Sequence, residues 1–361
     1  MLCPEGRGVI TEGVDLRGPA FHAVSLFSHE PRDHQLGAIL QTRTNLGRNR
    51  IFQPMTRQHM GPRNVEETIT NEASRLVSTA AIYLPEDVKR ALRNAQEHET
   101  SELAKKVFGS MLRNLEVAEA EGRPSCQDTG TVIFYVKAGD KFPYLGILER
   151  ALRNATIKAT ADVPLRPNSV NIFTGKNSGN NTGESIPWIE WELVPGSDTA
   201  EVTVVLKGGG SEGPSIGKVI PPAEGMKGVY KLVLDDIFEQ GPKPCPPVVV
   251  GVGLGPTVDI AMKLAKKSLL IDIGQRNPDA EISKIETSLL EAINKLGWGP
   301  HGVGGSTTAL DVHIEAVNRH PASFAVGVAT ACWEDRKSTM RIDPEGKVEF
   351  LTHQFLNRRN A

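Results

Sequence analysis

Residues 248–261 read VVVGVGLGPTVDIA, and this short stretch combines two kinds of secondary structure. The apolar run 248–252 is typical of a buried strand, and the glycines after it are typical of a turn. Residues 258–270 then carry the apolar spacing of a helix. A strand followed so closely by a helix predicts a fold in which helices pack on sheets.

The rest of the chain repeats both patterns without a strict strand–helix alternation. The N-terminal part is helical in pattern from about Val65, with a helix that opens at Ser101 and ends near Gly122, and a later helix is predicted at 281–296. Further strands are predicted at 131–136, 170–174, 188–193, 201–206 and 325–331, with a hairpin of 339–342 and 348–351. We therefore predict an α/β (or α+β) fold with mixed β-sheets, packed helices and an N-terminal helical segment.

The composition excludes several classes of protein. A formal net charge of −2 and an aromatic content of 5% give no basis for nucleic-acid binding. No apolar run approaches the roughly 20 residues that span a bilayer, so we expect no membrane association. The four cysteines lie far apart in 361 residues, which indicates a reducing compartment, and we expect the cytoplasm.

Residues 1–64 differ from the remainder of the chain. They contain eight arginines and no lysine, with scattered proline and glycine and little periodicity. We predict a poorly ordered N-terminal extension over 1–64 and a single folded domain over 65–361.

Three cysteines lie in similar contexts, each next to an apolar run: Cys126, Cys245 and Cys332. Cysteine is often buried without any function, so each one alone allows a purely structural interpretation. Their wide spacing differs from the paired CxxC spacing of zinc sites. It suits a [4Fe–4S] cluster with three thiolates and one open iron, which can act as a Lewis acid.

Several segments carry a specific resemblance to a known family. They are PSCQDTGTVIFYVKAG, PLRPNSV, GKNSGNNTG, KGGGSE, CPPVVVGVGLG, WGPHGVGGSTTALDVHIE, NRHPAS and CWEDR, in this order over roughly 66–355. Together they resemble the alpha part of the class I fumarase and L(+)-tartrate dehydratase family of iron–sulfur hydro-lyases. The chain stops before the second half of the fused fumarases, so it resembles the alpha subunit of a two-subunit enzyme.

The resemblance implies roles for particular residues. Cys126, Cys245 and Cys332 would hold the cluster, and Asp128 and His320 would be catalytic. Gln127, Arg166 and Gly209 would bind the substrate. Without the resemblance, Asp128 is equally typical of a turn, Arg166 of a solvated loop and His320 of a helix end. Glu334 and Asp335 after Cys332-Trp333 depart from the expected pattern, in which an alanine is followed by a variable residue.

The resemblance also implies a reaction and partners. The expected substrate is a C4 dicarboxylate, with fumarate/malate favoured over L-tartrate/oxaloacetate. The family's other half supplies further cationic residues and a proposed base, so we expect a beta subunit in a heterotetramer and little activity from this chain alone.

Two alternatives come from other classes of protein. Gly251, Gly253 and Gly255, followed by Asp272, resemble a dinucleotide-binding fingerprint, although Pro256 replaces its third glycine. That interpretation predicts an NAD-dependent dehydrogenase. The other alternative is an iron–sulfur protein for electron transfer only.

Overall fold

The computed structural model describes residues 65–359. The extension predicted for 1–64, which includes Cys3, lies outside the described residues.

The described part contains eight helices of α type, which include one short turn, α5. They are α1 (Val65–Ile82), α2 (Glu86–His98), α3 (Glu102–Glu121), α4 (Leu145–Asp162), α5 (Gly209–Glu212), α6 (Gly225–Gln240), α7 (Val258–Ser268) and α8 (Ala280–Asn294). Three 3₁₀ helices lie at Pro222–Glu224, Pro300–Gly302 and Gln354–Arg359.

The described residues also form nine strands in two sheets. They are β1 (Thr131–Gly139), β2 (Trp188–Val194), β3 (Ala200–Lys207), β4 (Ile216–Ile220), β5 (Val248–Gly255), β6 (Ala309–Ala316), β7 (Phe324–Ala331), β8 (Lys337–Ile342) and β9 (Val348–Phe350). The first sheet has the order β2-β1-β3-β8-β9, and the second has the order β4-β7-β5-β6. In each sheet one pair is parallel, β1 with β2 and β5 with β6, and the other pairs are antiparallel. The predicted α/β fold with mixed sheets is confirmed.

Local sequence signals explain where two of the helices begin and end. The Ser101 hydroxyl accepts a hydrogen bond from the Ala104 N–H at the start of α3, and Gly122 ends that helix with a left-handed φ of 63°. The Asp279 carboxylate caps α8 in the same way as Ser101 caps α3. The signals predicted for α3 at Ser101 and Gly122 are therefore confirmed, whereas the Asp279 cap of α8 was not predicted.

Helices cover the sheets and form three buried apolar clusters. In the first, α1 and α4 pack on the first sheet, with Leu76, Leu148 and Phe134 fully buried. In the second, α6 and α8 pack on the second sheet. The third joins α2, α3 and α7 to the ends of β5 and β7 and includes Trp333. The segment that leads from Cys332 to β8 connects the two sheets.

Two sequence predictions are corrected here. Residues 170–174 form no strand, because Val170 makes only an isolated bridge to Asn177 and the Asn171 side chain accepts hydrogen bonds from the Phe173 and Thr174 N–H groups. The glycines from Gly251 to Gly255 lie within β5 and do not form a turn. Within the described residues, no helix is long and apolar enough to cross a membrane.

Candidate active site

The three predicted cluster ligands lie at the ends of strands. Cys126 precedes β1, Cys245 precedes β5 and Cys332 directly follows β7. Because β5 and β7 are antiparallel and pair Val249 with Ala331, Cys245 and Cys332 lie at the same edge of the second sheet. The Trp333 N–H donates a 3.2 Å hydrogen bond to the Cys245 carbonyl oxygen, which joins the two loops directly.

One carboxylate is close to all three thiols. Burial, followed by the charge of Glu334, raises the pKa of Cys126 and of Cys245. Burial also raises the pKa of Cys332 to about 12, and the Arg336 charge opposes this rise while the Glu334 charge adds to it. The three cysteines, separated by more than 200 residues between first and last, therefore share one electrostatic environment.

The backbone at Cys245 is in an uncommon conformation. Its φ is 55°, in the left-handed region that non-glycine residues rarely adopt, and its side chain is exposed. Prolines on both sides hold the loop. Conformations of this kind cluster at functional sites, which agrees with a role for Cys245 as a ligand.

This set of donors fits an iron–sulfur cluster. All three side chains are thiols, the ligands that such clusters bind, and a bound metal deprotonates a thiol outright despite a raised pKa. Among residues 65–359, no three Cys, His, Asp or Glu side chains are close enough to bind one ion.

Asp128 lies next to the cysteines and is held from three directions. Its Oδ1 accepts hydrogen bonds from Asn168 Nδ2 at 2.5 Å and from the Gly130 N–H at 2.8 Å. Its Oδ2 accepts a 3.0 Å bond from the Gly209 N–H. The Asp128 N–H in turn lies 3.4 Å from Cys126 Sγ. Asp128 thus ties the cysteine loop to two other predicted segments, PLRPNSV and KGGGSE.

The backbone N–H of Gly209 contacts Asp128 and not a position left open for substrate. Its N–H is bound to Asp128 in this structure, although the sequence predicted that it binds substrate. An alanine at the neighbouring Gly208 would bring a Cβ to 3.2 Å from Asp128 Oδ2, so glycine permits the close approach of this loop.

Arg336 is a residue of the candidate site that the sequence did not predict. It is only 2% exposed, and its Nη1 donates a 2.6 Å hydrogen bond to the Asp128 carbonyl oxygen. Its Nε lies 3.8 Å from Glu334 Oε2. Arg336 therefore bridges the group near the thiols and the predicted catalytic loop. Arg336 is the last residue of the segment CWEDR, which the resemblance had singled out. The sequence does not show that Arg336 contacts Asp128.

Gln127 and Arg166 are both exposed. Cys126 Sγ lies 3.9 Å from Gln127 Oε1, which places the amide at the thiol. Arg166 lies two residues before Asn168, the residue that binds Asp128. Within residues 65–359 no hydrogen bond or ion pair involves the Arg166 guanidinium, which leaves it available for an anion.

His320 is not brought to the cysteines of its own chain. It lies in the exposed loop between β6 and β7, where its Nδ1 accepts a 3.1 Å hydrogen bond from the Ala322 N–H. Cys332 follows the opposite end of β7, an eight-residue strand that spans about 25 Å at roughly 3.3 Å per residue. The two residues thus lie at opposite edges of the second sheet.

The glycines of the dinucleotide-like stretch lie in a strand and allow a helix to pack closely on it. An added Cβ would lie 1.9 Å from the Ala261 carbonyl oxygen at Gly253 and 2.1 Å from the Ala265 carbonyl oxygen at Gly251. Gly251 and Gly253 therefore lie inside β5, against the backbone of α7, and not in the turn before a helix N-terminus where a pyrophosphate binds. The interpretation of this stretch as a dinucleotide site is wrong.

Comparison with known proteins identifies the family. Residues 70–341 match the family described as fumarate hydratase (Fumerase). The chain belongs to the fumarate hydratase family. Relatives from Escherichia coli and Shigella boydii named L(+)-tartrate dehydratase subunit alpha are 39% identical over 285 residues, 79% of this chain and 94% of theirs. A protein from Methanocaldococcus jannaschii named putative L(+)-tartrate dehydratase subunit alpha is 43% identical over 283 residues, 78% of this chain and 99% of that one.

These similarities confirm the resemblance drawn from the sequence segments. As a member of the fumarate hydratase family, the chain is an enzyme of the hydro-lyase class. The alternative of a protein for electron transfer only has no support from these relatives.

Proposed function

We propose that this chain is the alpha, cluster-bearing subunit of a hydro-lyase that adds water to, or removes water from, a C4 dicarboxylate. The observation that carries this proposal is that hydrogen bonds join the loops of Cys126, Cys245 and Cys332. Ser125, beside Cys126, donates a 3.1 Å bond to Glu334, and Trp333, beside Cys332, donates a 3.2 Å bond to the Cys245 carbonyl oxygen. A [4Fe–4S] cluster held by these thiolates would supply, at an open iron, a Lewis acid for the substrate hydroxyl.

The protein's own residues support the binding of a dianion. A guanidinium binds a carboxylate with two parallel hydrogen bonds, and Arg166 is exposed with no such partner among the described residues. Gln127 can donate a hydrogen bond from its amide beside Cys126. Asp128 has three of its acceptor positions occupied, so we infer that it orients the loops first and that any proton transfer uses a remaining lone pair.

The charges in this chain favour a second subunit. A dicarboxylate carries two negative charges, and Arg166 can balance one of them. Arg336 and Lys207 are also near the site, but both are buried and paired, with Glu334 and Glu212 respectively. A separate subunit that brings further cations would complete the site, in agreement with the words "subunit alpha" in the names of the relatives.

The position of His320 favours two copies of the alpha chain. Because the strand β7, about 25 Å long, separates His320 from Cys332, His320 can join the acid–base group only at the site of another copy. We therefore keep the proposed heterotetramer, in which each alpha chain would present His320 to its neighbour.

An exposed loop at 170–177, next to the site, is the surface we assign to the beta-type subunit. Ile172 and Phe173 are 91% and 96% exposed, although the tip that carries them is held by the Asn171 hydrogen bonds. Adjacent large apolar side chains on an ordered tip are typical of interaction surfaces. Asn168, in the same loop, contacts Asp128, so a partner bound here would lie beside the site.

The substrate is proposed only as a C4 dicarboxylate. The names of the relatives favour L-tartrate, whereas the description of the family and the sequence segments favour fumarate. These compounds differ by hydroxyl groups, and a site that hydrogen-bonds a hydroxyl can reject a substrate that lacks it by a large factor.

The proposal is tested by anaerobic co-expression of this chain with a candidate beta-type subunit. We expect bound iron and sulfide, and activity on L-tartrate, oxaloacetate, fumarate or malate in a panel of all four. Cys245→Ser should lose the iron, whereas Cys3→Ser, in the part of the chain that matches no family segment, is the matched control and should retain it. A pair that holds no iron and hydrates or dehydrates none of the four compounds would contradict the proposal.

A further inference from the structure

Arg319 holds the exposed turn that carries His320. Its Nη1 donates hydrogen bonds to three carbonyl oxygens of this turn, those of His320 at 3.0 Å, Pro321 at 3.2 Å and Ser323 at 3.2 Å. Its guanidinium carbon also lies 4.7 Å from the centre of the Phe324 ring, whose face attracts a cation. Phe324 is buried and begins β7. Arg319 therefore fastens the turn to the second sheet.

The hydrogen bonds of Arg319 order a part of the chain that is not buried. Residues 316–322 are exposed, so their carbonyl groups could bond to water instead, and exchanging water for a protein donor adds little net stability. Fixing a long arginine side chain also costs conformational entropy. A geometric purpose therefore explains these bonds better than a contribution to folding does.

The shape of the turn fixes the imidazole of His320. The Ala322 N–H donates a 3.1 Å hydrogen bond to His320 Nδ1, and the Ser323 N–H donates a 3.2 Å bond to the His320 carbonyl oxygen. A ring nitrogen that accepts a hydrogen bond carries no proton, so the neutral imidazole carries its proton on Nε2. Among residues 65–359, Nε2 of His320 has no hydrogen-bond partner. The turn thus presents one free N–H donor.

We propose that Arg319 is a positioning residue that holds His320 as a hydrogen-bond donor, through its Nε2–H, for the dicarboxylate bound at another copy of the chain. The inference rests on the proposed function, in which His320 reaches the site of a neighbouring alpha chain. A carboxylate offers only acceptor oxygens, so a donor suits it. Because Nδ1 already accepts the bond from Ala322, His320 has no free lone pair with which to take a proton, and the base of the reaction is another group.

The role of His320 as a donor is tested with two of its variants, each co-expressed with the candidate beta-type subunit. Glutamine keeps an N–H donor at the end of its side chain, whereas alanine keeps none. We expect His320→Gln to retain kcat/KM within about tenfold and His320→Ala to lose about 100-fold or more, as is typical when one donor is removed from an active site. Equal losses in the two variants would overturn the donor role.

A double-mutant cycle tests whether Arg319 acts through His320. Arg319→Met alone should lower kcat/KM about tenfold, and it should cause no further loss in a chain that already carries His320→Ala. Losses that multiply would show that Arg319 acts on the substrate or the fold by itself, which overturns the positioning role. Arg113→Met, which removes an exposed ion pair with Glu116 in α3, is the matched control and should keep the kcat/KM of the unaltered pair.

Amide exchange in the full-length chain alone separates this inference from the proposed function. The Ala322 and Ser323 amides should exchange with deuterium about tenfold faster in Arg319→Met, because the turn that holds their hydrogen bonds opens more often. In Arg113→Met both rates should equal those of the unaltered chain. Unchanged rates in Arg319→Met overturn the inference and leave the proposed function intact. A pair inactive on all four compounds overturns the proposed function, and amide exchange then decides alone whether Arg319 holds the turn.

Discussion

Replacing Gly253 by alanine should destabilise the protein strongly, because there is no space between β5 and α7 for a side chain. The added Cβ would lie 1.9 Å from the Ala261 carbonyl oxygen and 2.5 Å from the Ala265 backbone nitrogen. Ordinary contact begins at 3.4 Å, so the helix must retreat by about 1.5 Å. Both neighbouring atoms belong to the backbone, and no change of rotamer can relieve the clash.

The expected loss follows from this displacement. Overpacking a core typically costs about 1–3 kcal/mol where side chains can adjust, and here the backbone of a whole helix must move, so we expect about 3 kcal/mol or more. For the folded part at 65–359, with an unfolding entropy of about 2.1 cal/mol/K per residue, that corresponds to a fall in the unfolding temperature of about 5 °C or more. Thermal unfolding followed by circular dichroism measures this directly.

The matched control is Gly146→Ala in α4. A Cβ at Gly146 meets nothing within 4 Å, and alanine is favoured over glycine in a helix by about 0.5–1 kcal/mol. This variant should therefore unfold at or slightly above the temperature of the unaltered chain. If Gly253→Ala also kept that temperature, β5 and α7 could not be packed as described, and the stretch would again be open to a ligand.

The remaining predictions concern the site, pH and the partner. Arg166→Ala should retain iron but raise the KM for the dicarboxylate about tenfold or more, since a hydrogen-bonded charge is lost; a loss of iron would show that its role is structural. Burial lowers the pKa of His313 to about 4, below its usual 6.5, so the unfolded chain binds more protons between these values and stability should fall as the pH drops through that window. Urea unfolding at pH 7 and pH 5 should show a smaller loss for His313→Leu than for the unaltered chain, and equal losses would refute this. Replacing Ile172 and Phe173 together by serine should leave the unfolding temperature unchanged but weaken co-purification of the beta-type subunit; equal recovery of the partner would place the interface elsewhere.

The helices divide into those with a start signal and those without one. Ser101 and Asp279 cap α3 and α8, and both helices were predictable. By contrast α4 and α6 follow Tyr144 and Glu224, neither of which makes a side-chain cap hydrogen bond. No local residue marks where these two helices begin, and neither was predicted. The helix α7 also lacks a side-chain cap hydrogen bond, but its apolar spacing was sufficient to predict it.

The strands show the same limit of local patterns. The apolar alternation of β3, in which every second residue is buried, was sufficient to predict it. In 170–174 the residues are equally strand-like, but Asn171 offers the backbone alternative hydrogen bonds. Nothing in the apolar pattern distinguishes the two cases, because the difference lies in one polar side chain.

In the candidate site, the residue types were predictable and their partners were not. The three cysteines stood out by context, and Asp128 by its place beside the first of them. The bonds from Asn168 and Arg336 to Asp128 cross 40 and 208 residues of chain. Such pairs depend on how the loops are brought together, which only the folded structure gives.

The three cysteines lie on both sides of the junction between the two sheets, so a group bound to all three would link one sheet to the other. Cys126 leads into the first sheet, Cys245 into the second, and Cys332 leaves the second just before β8 of the first begins. The free energy of binding such a group would add to the free energy of folding. Loss of the bound group in air would then weaken the contact between the two sheets. Faster cleavage by a protease would report that damage before any activity is measured.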